Sequence, residues 1–134
     1  MLLIAVPVKE EIKNLSANVK TAEFIPFANL LPFIDLMITN GGFGATHMAL
    51  AHGIPLVCSG GNEDKMEIAA RVAYSGCGIN IKKLRPTPDK IQKAVQEVFN
   101  NPSYKENTKR LQKEIRSYHP LEQIEKEINE LTGL

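Results

Sequence analysis

Tryptophan is missing from this 134-residue chain, and cysteine and net charge are both scarce. The two cysteines, Cys58 and Cys77, are too few for a disulfide scaffold or a cysteine-rich metal site. They lie in apolar or glycine-containing runs, so we interpret them as small buried thiols of a cytoplasmic protein. Sixteen Lys and Arg against fifteen Asp and Glu give a formal charge of +1. This balance supplies no long-range field for nucleic acid, and we expect no nucleic-acid partner.

Long hydrophobic runs are also lacking. No segment approaches the roughly 20 consecutive apolar residues that a membrane-spanning helix needs. The apolar run at residues 1–6 ends at Pro7, follows no basic segment and precedes no small-residue cleavage site. It therefore predicts a buried strand and not a signal peptide. The length and the ordinary composition, 43% hydrophobic and 23% charged, indicate a single globular domain over residues 1–134.

Short apolar runs alternate along the chain with amphipathic stretches of helix length. The runs predict strands at residues 2–6, 19–24, 36–39, 56–58 and 78–81. The amphipathic stretches predict helices at residues 44–52, 62–75, 88–99, 102–116 and 121–131. Strands that alternate with helices indicate a parallel sheet with helices on both faces, which is a Rossmann-like α/β fold, here with a helical last third.

A glycine-rich turn joins the predicted strand at residues 36–39 to the next helix. Gly41, Gly42 and Gly44 lie within four positions, which lets the backbone approach a bulky ligand. The free amides and the dipole of the following helix favour an anion there, and Thr46 offers a hydroxyl donor. The pattern therefore favours a phosphate or diphosphate. The alternative is a tight turn whose glycines serve packing alone.

Several better-known motifs do not fit this sequence. A P-loop needs Gly-Lys-Ser or Gly-Lys-Thr, which the chain does not contain. The dinucleotide fingerprint would place its last small residue at His47, so a nicotinamide-dependent oxidoreductase is disfavoured. The three histidines have no metal-ligand spacing, and no Gly-x-Ser-x-Gly sequence is present. We therefore predict neither a metal site nor a serine triad.

Two other segments follow strand ends, at the edge where open α/β sheets bind ligands. Residues 59–65 carry short carboxylates at a predicted helix start, and these either accept hydrogen bonds from sugar hydroxyls or merely cap the helix. Residues 24–27 lie at the end of the predicted strand at residues 19–24, and the ring of Phe24 either stacks on a base or is an ordinary core or lid phenylalanine.

In this order, these segments resemble the C-terminal, donor-binding half of the inverting nucleotide-sugar glycosyltransferases. That type includes the macrolide glycosyltransferases and the UDP-glucosyl- and glucuronosyltransferases. The resemblance covers residues 2–115 and is carried by residues 24–32, 39–46, 49–57 and 63–78. It implies the C-terminal domain of a GT-B fold, in which two Rossmann-like domains face a cleft.

The resemblance also implies which residues contact the donor. Phe24 and Ile25 would lie beside the base, and residues 42–46 would hold the diphosphate. Asp64 and Lys65 would face the transferred sugar. The full set of predicted binding residues is Phe24, Ile25, Asn40, Gly41, Gly42, Gly44, Ala45, Thr46, Glu63, Asp64 and Lys65.

Three positions depart from the commonest pattern of this family. Asn40 stands where a His often contacts the diphosphate, and Met48 stands where a Glu often holds the ribose. Lys65 stands where a Gln often follows the acidic residue. Asn40 and Lys65 can still donate hydrogen bonds, whereas Met48 accepts none, so the departures bear on which donor is bound.

The implied function is binding of a UDP- or dTDP-sugar for hexosyl transfer to an acceptor hydroxyl, without a cofactor or metal. The general base of the family, usually a His, lies in the acceptor half, which has no counterpart in residues 1–134. We therefore expect this chain to need a separate acceptor domain and to be inactive alone, as either a truncated product or one subunit of a two-chain enzyme. The alternative is a non-catalytic remnant, a Rossmann-like domain that forms a homo-oligomer through exposed apolar surface and binds no ligand.

Overall fold

A four-stranded parallel sheet forms the centre of the protein. The computed structural model describes residues 2–4, by their backbone only, and residues 14–62 and 64–133. The strands are β1 (Leu2–Ile4), β2 (Leu36–Thr39), β3 (Leu56–Cys58) and β4 (Gly78–Asn80), and they lie side by side in chain order. In register, Leu3 pairs with Met37, and Met37 pairs with Leu56. All four carboxyl ends therefore lie at one edge of the sheet.

Six helices surround or follow the sheet in the described part of the chain. They are α1 (Phe27–Leu30), α2 (Phe43–Ala51), α3 (Asp64–Tyr74), α4 (Pro88–Asn100), α5 (Ser103–Ser117) and α6 (Pro120–Thr132), and a 3-10 turn spans Leu31–Phe33. The structure confirms the five predicted helices as α2 to α6, with ends within about two residues. It also confirms the strands at residues 36–39 and 56–58, and most of those at 2–6 and 78–81; residues 5 and 6 lie outside the described residues. The short α1 and the 3-10 turn were not predicted.

The predicted strand at residues 19–24 was wrong. These residues form no strand, and their apolar side chains are largely exposed, with Phe24 at 81% and Val19 at 43%. A short alternating run becomes a strand only if a neighbouring strand takes up its backbone hydrogen bonds. The described strand next to β2 on this side of the sheet is β1, so the run at residues 19–24 has no place there.

Successive residues of β2 and β3 point into two separate cores, one on each face of the sheet. The first core contains Met37, Leu56 and Cys58 from the strands with Ala49, Ala69 and Val72 from α2 and α3. The second contains Leu36, Ile38 and Val57 with Ala94 and Val98 from α4. Burial on both faces explains why these strands are continuous apolar runs. It also confirms helices on both faces and both buried thiols.

Side chains of α5 donate hydrogen bonds to the backbone carbonyls at the carboxyl-terminal ends of α2 and α3. The Lys105 Nζ donates to the Gly53 carbonyl at 2.9 Å, and the Thr108 hydroxyl shares its hydrogen between the Gly53 carbonyl at 3.2 Å and the Lys105 carbonyl at 2.9 Å. The Gln112 amide donates to the Ala51 carbonyl at 3.2 Å, and the Asn107 amide to the Gly76 carbonyl at 3.2 Å. Carbonyls at helix ends lack partners within the helix, so these side chains supply the missing donors.

Helix α6 lies apart from both cores. None of its residues is buried, and its apolar side chains Leu121, Ile124, Ile128 and Leu131 are 52–86% exposed. These four residues recur at helical spacing and form one stripe. No helix in the described ranges is both long and apolar enough to cross a membrane.

Candidate functional site

The turns after β2 and β3 lie against each other at the carboxyl edge of the sheet. The Ser59 amide donates to the Thr39 carbonyl at 2.9 Å, which extends the strand pairing into the turns. A Cβ at Gly60 would overlap the Asn40 carbonyl oxygen, and a Cβ at Gly41 would lie 3.1 Å from the Lys65 carbonyl oxygen. The structure thus brings the predicted diphosphate segment and the predicted sugar segment together on one surface.

The turn after β2 is held by its own side chains. Gly41 has a φ of +85°, a conformation that residues with a Cβ rarely adopt. Its amide donates to the Thr39 hydroxyl at 3.3 Å, and the Gly42 amide donates to Asn40 Oδ1 at 3.1 Å. Since Asn40 Oδ1 is engaged in the turn and the residue is exposed, its Nδ2 group is the part that can donate to a ligand.

The start of α2 offers unpaired amides. The first intrahelical bond runs from the Thr46 amide to the Gly42 carbonyl at 3.1 Å, so the amides of Phe43, Gly44 and Ala45 have no acceptor among the described residues. No side chain caps this helix end. With the positive end of the helix dipole, such amides bind anions.

The glycines of this turn serve different purposes. Gly41 is required by its positive φ and by its approach to Lys65, as the packing alternative expects. By contrast, a Cβ at Gly44 would meet no atom within 4 Å, so neither packing nor backbone conformation requires a glycine there. Gly44 therefore leaves open space directly beside the unpaired amides, and packing alone does not account for it.

Thr46 is buried beneath this surface, with 4% of its area exposed. Its hydroxyl is the one buried side-chain oxygen or nitrogen of the described residues without a hydrogen-bond partner. Buried polar groups normally have a partner in the protein or in bound water. Thr46 is therefore not on the open surface, and its hydroxyl is a buried donor without an acceptor among the described residues.

The other predicted residues differ in how close the structure brings them to this surface. Asp64 is the exposed first residue of α3, and Lys65 is half-buried with its backbone against Gly41. The ring of Phe24 is 81% exposed, whereas Ile25 packs against the first core. Glu63 lies outside the described residues.

Sequence reasoning missed two features of the same edge. The rings of Phe43 and His47 stack with their centroids 5.8 Å apart, and both residues are exposed at the start of α2. The loop between β4 and α4 also reaches the site, because the Ser59 hydroxyl donates to the Lys83 carbonyl at 2.5 Å. An aromatic pair four residues apart and the run Lys82-Lys83 were the available signals.

Metal and thiol chemistry have little support at this edge. No group of three or more His, Cys, Asp or Glu that could hold a metal ion occurs within residues 14–62 and 64–133. Cys58 ends β3, directly before the site, and burial raises the pKa of its thiol to about 12. Burial also raises the pKa of Cys77, although a hydrogen bond with Ser75 and the charge of Arg110 both act to lower it. Both thiols are therefore neutral at physiological pH.

Comparison with known sequences assigns the chain to a protein family. Residues 2–131 match the model of the Erythromycin biosynthesis protein CIII-like, C-terminal domain. The chain is 44% identical over 104 residues to 4'-demethylrebeccamycin synthase of Lentzea aerocolonigenes, covering 78% of this chain and 25% of that protein. It is 40% identical over 120 residues to UDP-glycosyltransferase 2 of Phaeomoniella chlamydospora, covering 90% and 26%. The chain thus spans about a quarter of the length of these relatives.

Solved structures agree with this placement. The spinosyn forosaminyltransferase SpnP superposes with a TM-score of 0.86 at 22% identity, over 99% of this chain and 35% of that one, which shows the fold of one domain of a GT-B protein. The glycosyltransferase VinC, solved in complex with dTDP, has a TM-score of 0.73 at 26% identity, over 78% and 27%. The resemblance predicted from the residues is confirmed: the chain belongs to the EryCIII-like C-terminal domains of glycosyltransferases.

Proposed function

We propose that residues 1–134 form a single nucleotide-sugar-binding domain that holds the diphosphate of a UDP- or dTDP-sugar. The observation that carries this proposal is the set of unpaired amides at the start of α2 beside the open space at Gly44. The diphosphate accepts hydrogen bonds from the amides of Phe43, Gly44 and Ala45 and lies at the positive end of the helix dipole. The relatives named as glycosyltransferases, and the dTDP bound to VinC, support a nucleoside diphosphate as this anion.

The remaining predicted residues complete the donor site. The exposed ring of Phe24 stacks on the base, with Ile25 beneath it. Asn40 donates through Nδ2 to the diphosphate in place of the His that is common in the family. Glu63, Asp64 and Lys65 contact the hydroxyls of the sugar, and the Lys65 ammonium adds positive charge near the phosphates.

In the transfer reaction, the acceptor hydroxyl attacks the anomeric carbon of the sugar. The bond between that carbon and the diphosphate oxygen breaks, and the nucleoside diphosphate leaves with the electron pair. The amides of α2 stabilise the negative charge that develops on the leaving group. The acceptor proton passes to a general base of an acceptor domain, which lies on another part of the enzyme or on a partner chain. The isolated chain therefore binds donor without turning it over.

Isothermal titration calorimetry of this chain with UDP and dTDP tests the proposal. We expect saturable binding at micromolar to millimolar concentrations. Gly44→Val, which fills the open space, weakens it about tenfold or more, equivalent to about 1.4 kcal/mol. Ala73→Val is the matched control, because Ala73 is exposed near the opposite end of α3. No heat with either nucleotide, or equal affinity in Gly44→Val, would contradict the proposal.

A self-associating domain without ligand is the second candidate. It is favoured by the exposed apolar stripe of α6, formed by Leu121, Ile124, Ile128 and Leu131. Thermal unfolding separates the two candidates, because a nucleotide at about 100 times its Kd stabilises a binding domain by about 2.7 kcal/mol. A domain that only self-associates shows no such stabilisation.

A further inference from the structure

Three asparagines in the described ranges hold their side-chain carbonyl against the backbone that follows them. In each, Oδ1 accepts a hydrogen bond from the amide two residues further on: Asn40 from Gly42 at 3.1 Å, Asn80 from Lys82 at 2.8 Å and Asn101 from Ser103 at 3.1 Å. This arrangement is an Asx turn. It brings the side-chain carbonyl carbon close to the backbone nitrogen of the residue in between.

The three turns differ in that intervening residue. In the second turn it is Ile81, whose β-branched side chain crowds its nitrogen and whose amide already donates to the Cys58 carbonyl at 2.9 Å. In the third turn it is Pro102, whose nitrogen carries no hydrogen. In the first turn it is Gly41, which has no side chain to hinder its nitrogen. Of the three, Asn40 alone is followed by an unhindered backbone N–H group.

The contacts of the first turn favour a reaction between these two groups. The Gly42 amide donates to Asn40 Oδ1, which is the oxygen that gains negative charge when a nucleophile adds to Cγ. The Gly41 amide donates to the Thr39 hydroxyl at 3.3 Å, and this hydroxyl can donate in return once the nitrogen has lost its proton. Asn40 is also exposed, so water and solvent base reach it.

We propose that Asn40 is a site of spontaneous modification that ends donor binding. The Gly41 nitrogen loses its proton to solvent base and attacks Asn40 Cγ, and a cyclic imide forms. The bond from Cγ to Nδ2 breaks, and Nδ2 takes a proton from water and leaves as ammonia. Water then adds to one of the two imide carbonyls and breaks its bond to nitrogen, which gives aspartate or isoaspartate. The net reaction consumes one water and releases one ammonia.

The consequence for the ligand depends on the proposed function. Asn40 Nδ2 is the proposed donor to the diphosphate, and both products replace it with a carboxylate, which repels that anion. In isoaspartate the main chain also runs through the former side-chain carbon. The turn has no room for this longer path, because the Asn40 carbonyl oxygen lies so close to Gly60 that a Cβ there would overlap it.

Tandem mass spectrometry of peptides from the aged protein tests the modification. The intact chain is kept for several days in mildly alkaline buffer, and calorimetry with UDP follows binding in the same samples. We expect the mass gain of an amide-to-acid conversion at Asn40, while Asn80 and Asn101 keep their amides as internal controls with the same hydrogen bond. The fraction of chains that bind UDP should fall as the converted fraction rises.

A variant reproduces one of the products without ageing. Asn40→Asp should bind UDP about tenfold or more weakly than the wild type, because the carboxylate faces the diphosphate. The matched control is Asn101→Asp, which adds the same charge between α4 and α5 and keeps an acceptor for the Ser103 amide. We expect this control to bind UDP as the wild type does.

Equal conversion of Asn40 and Asn80, or undiminished UDP binding by Asn40→Asp, would overturn the inference while the proposed function stands. If fresh wild-type protein binds neither UDP nor dTDP, the proposed function fails, and the effect on the ligand fails with it. The mass spectra then still decide the modification of Asn40, because they do not depend on a ligand.

Discussion

At the residue scale, the glycines of the candidate site divide into those that the fold needs and one that it does not. Gly60 is needed, because a Cβ there would overlap the backbone of Asn40 and press on the Lys65 side chain. Gly44 is not needed, because a Cβ there would meet no atom within 4 Å. The sequence shows equivalent glycines, and only the neighbours that the fold supplies distinguish them.

This difference predicts opposite effects of the same substitution. Gly60→Ala lowers the free energy of unfolding by about 3 kcal/mol, because backbone must move to admit the methyl group. Gly44→Ala leaves it unchanged or raises it by up to about 1 kcal/mol, because alanine favours the helix more than glycine does. Urea unfolding of the two variants measures both effects. Equal losses of stability would show that Gly44 is also required for packing.

A second residue-scale prediction concerns Cys58 and alkaline pH. Its thiol ionises near pH 9.0 in the unfolded chain, whereas burial raises the pKa in the folded protein to about 12. The stability that this thiol contributes is fully present below pH 9 and is lost as the pH rises towards 12. The free energy of unfolding should therefore fall by up to about 1.4 kcal/mol for each pH unit above 9.

Urea unfolding between pH 8 and pH 10.5 checks this prediction, with Cys58→Ala as the comparison. The variant keeps Cys77 and every lysine. The difference between the two proteins in how the free energy of unfolding changes with pH is therefore the contribution of Cys58. Burial and the charge of Lys109 lower the pKa of Lys105, whereas the charge of Asp35 raises it. Because the net shift is downward, Lys105 makes the free energy of unfolding rise with pH near pH 10, and it does so equally in the wild type and the variant. Parallel slopes would contradict the assignment to Cys58.

At the scale of elements, α5 joins the ends of α2 and α3 through side chains that bond helix carbonyls. The Gly53 carbonyl is the most heavily engaged, since Lys105 and Thr108 both donate to it. Gly53 is buried, so water does not readily replace these donors. Amphipathic spacing predicted that α5 is a helix, but nothing in the spacing indicated which carbonyls it would bond.

A double-mutant cycle tests this arrangement. Thr108→Val and Lys105→Met should each lower the free energy of unfolding by about 1 kcal/mol, because the other donor remains. The double variant leaves the buried carbonyl without a donor, so its loss should exceed the sum of the single losses by about 1 kcal/mol. Additive losses in urea unfolding would show that the two donors act on independent sites.

At the scale of the whole molecule, α6 leaves an apolar stripe without a partner. Residues Leu121, Ile124, Ile128 and Leu131 are more than half exposed, and no residue of the helix is buried. Exposed apolar stripes of this kind mark interaction surfaces. The acceptor domain of the proposed enzyme is one candidate to cover the stripe, and a second copy of the chain is the other.

We expect the isolated chain to self-associate with rising concentration, as analytical ultracentrifugation would measure. Changing the four apolar residues of the stripe to Gln should keep it monomeric. The temperature of unfolding should hardly change, because α6 lies outside both cores. Changing Glu122, Lys126 and Asn129 to Gln is the control and should leave association intact. A wild-type chain that is monomeric at all concentrations would contradict this prediction.

The sequence by itself determined the layered α/β fold, because continuous apolar runs at β2 and β3 and amphipathic spacing in the helices reflect burial directly. It also determined the family, because strand, glycine turn, helix and Gly-Ile-Pro follow one another in a specific order. Only the tertiary structure showed that residues 19–24 form no strand, that Gly41 and Gly60 serve packing while Gly44 faces open space, and that the loop after β4 bonds to the turn after β3. These outcomes depend on contacts between residues that are distant in the chain. A local residue pattern does not specify those contacts.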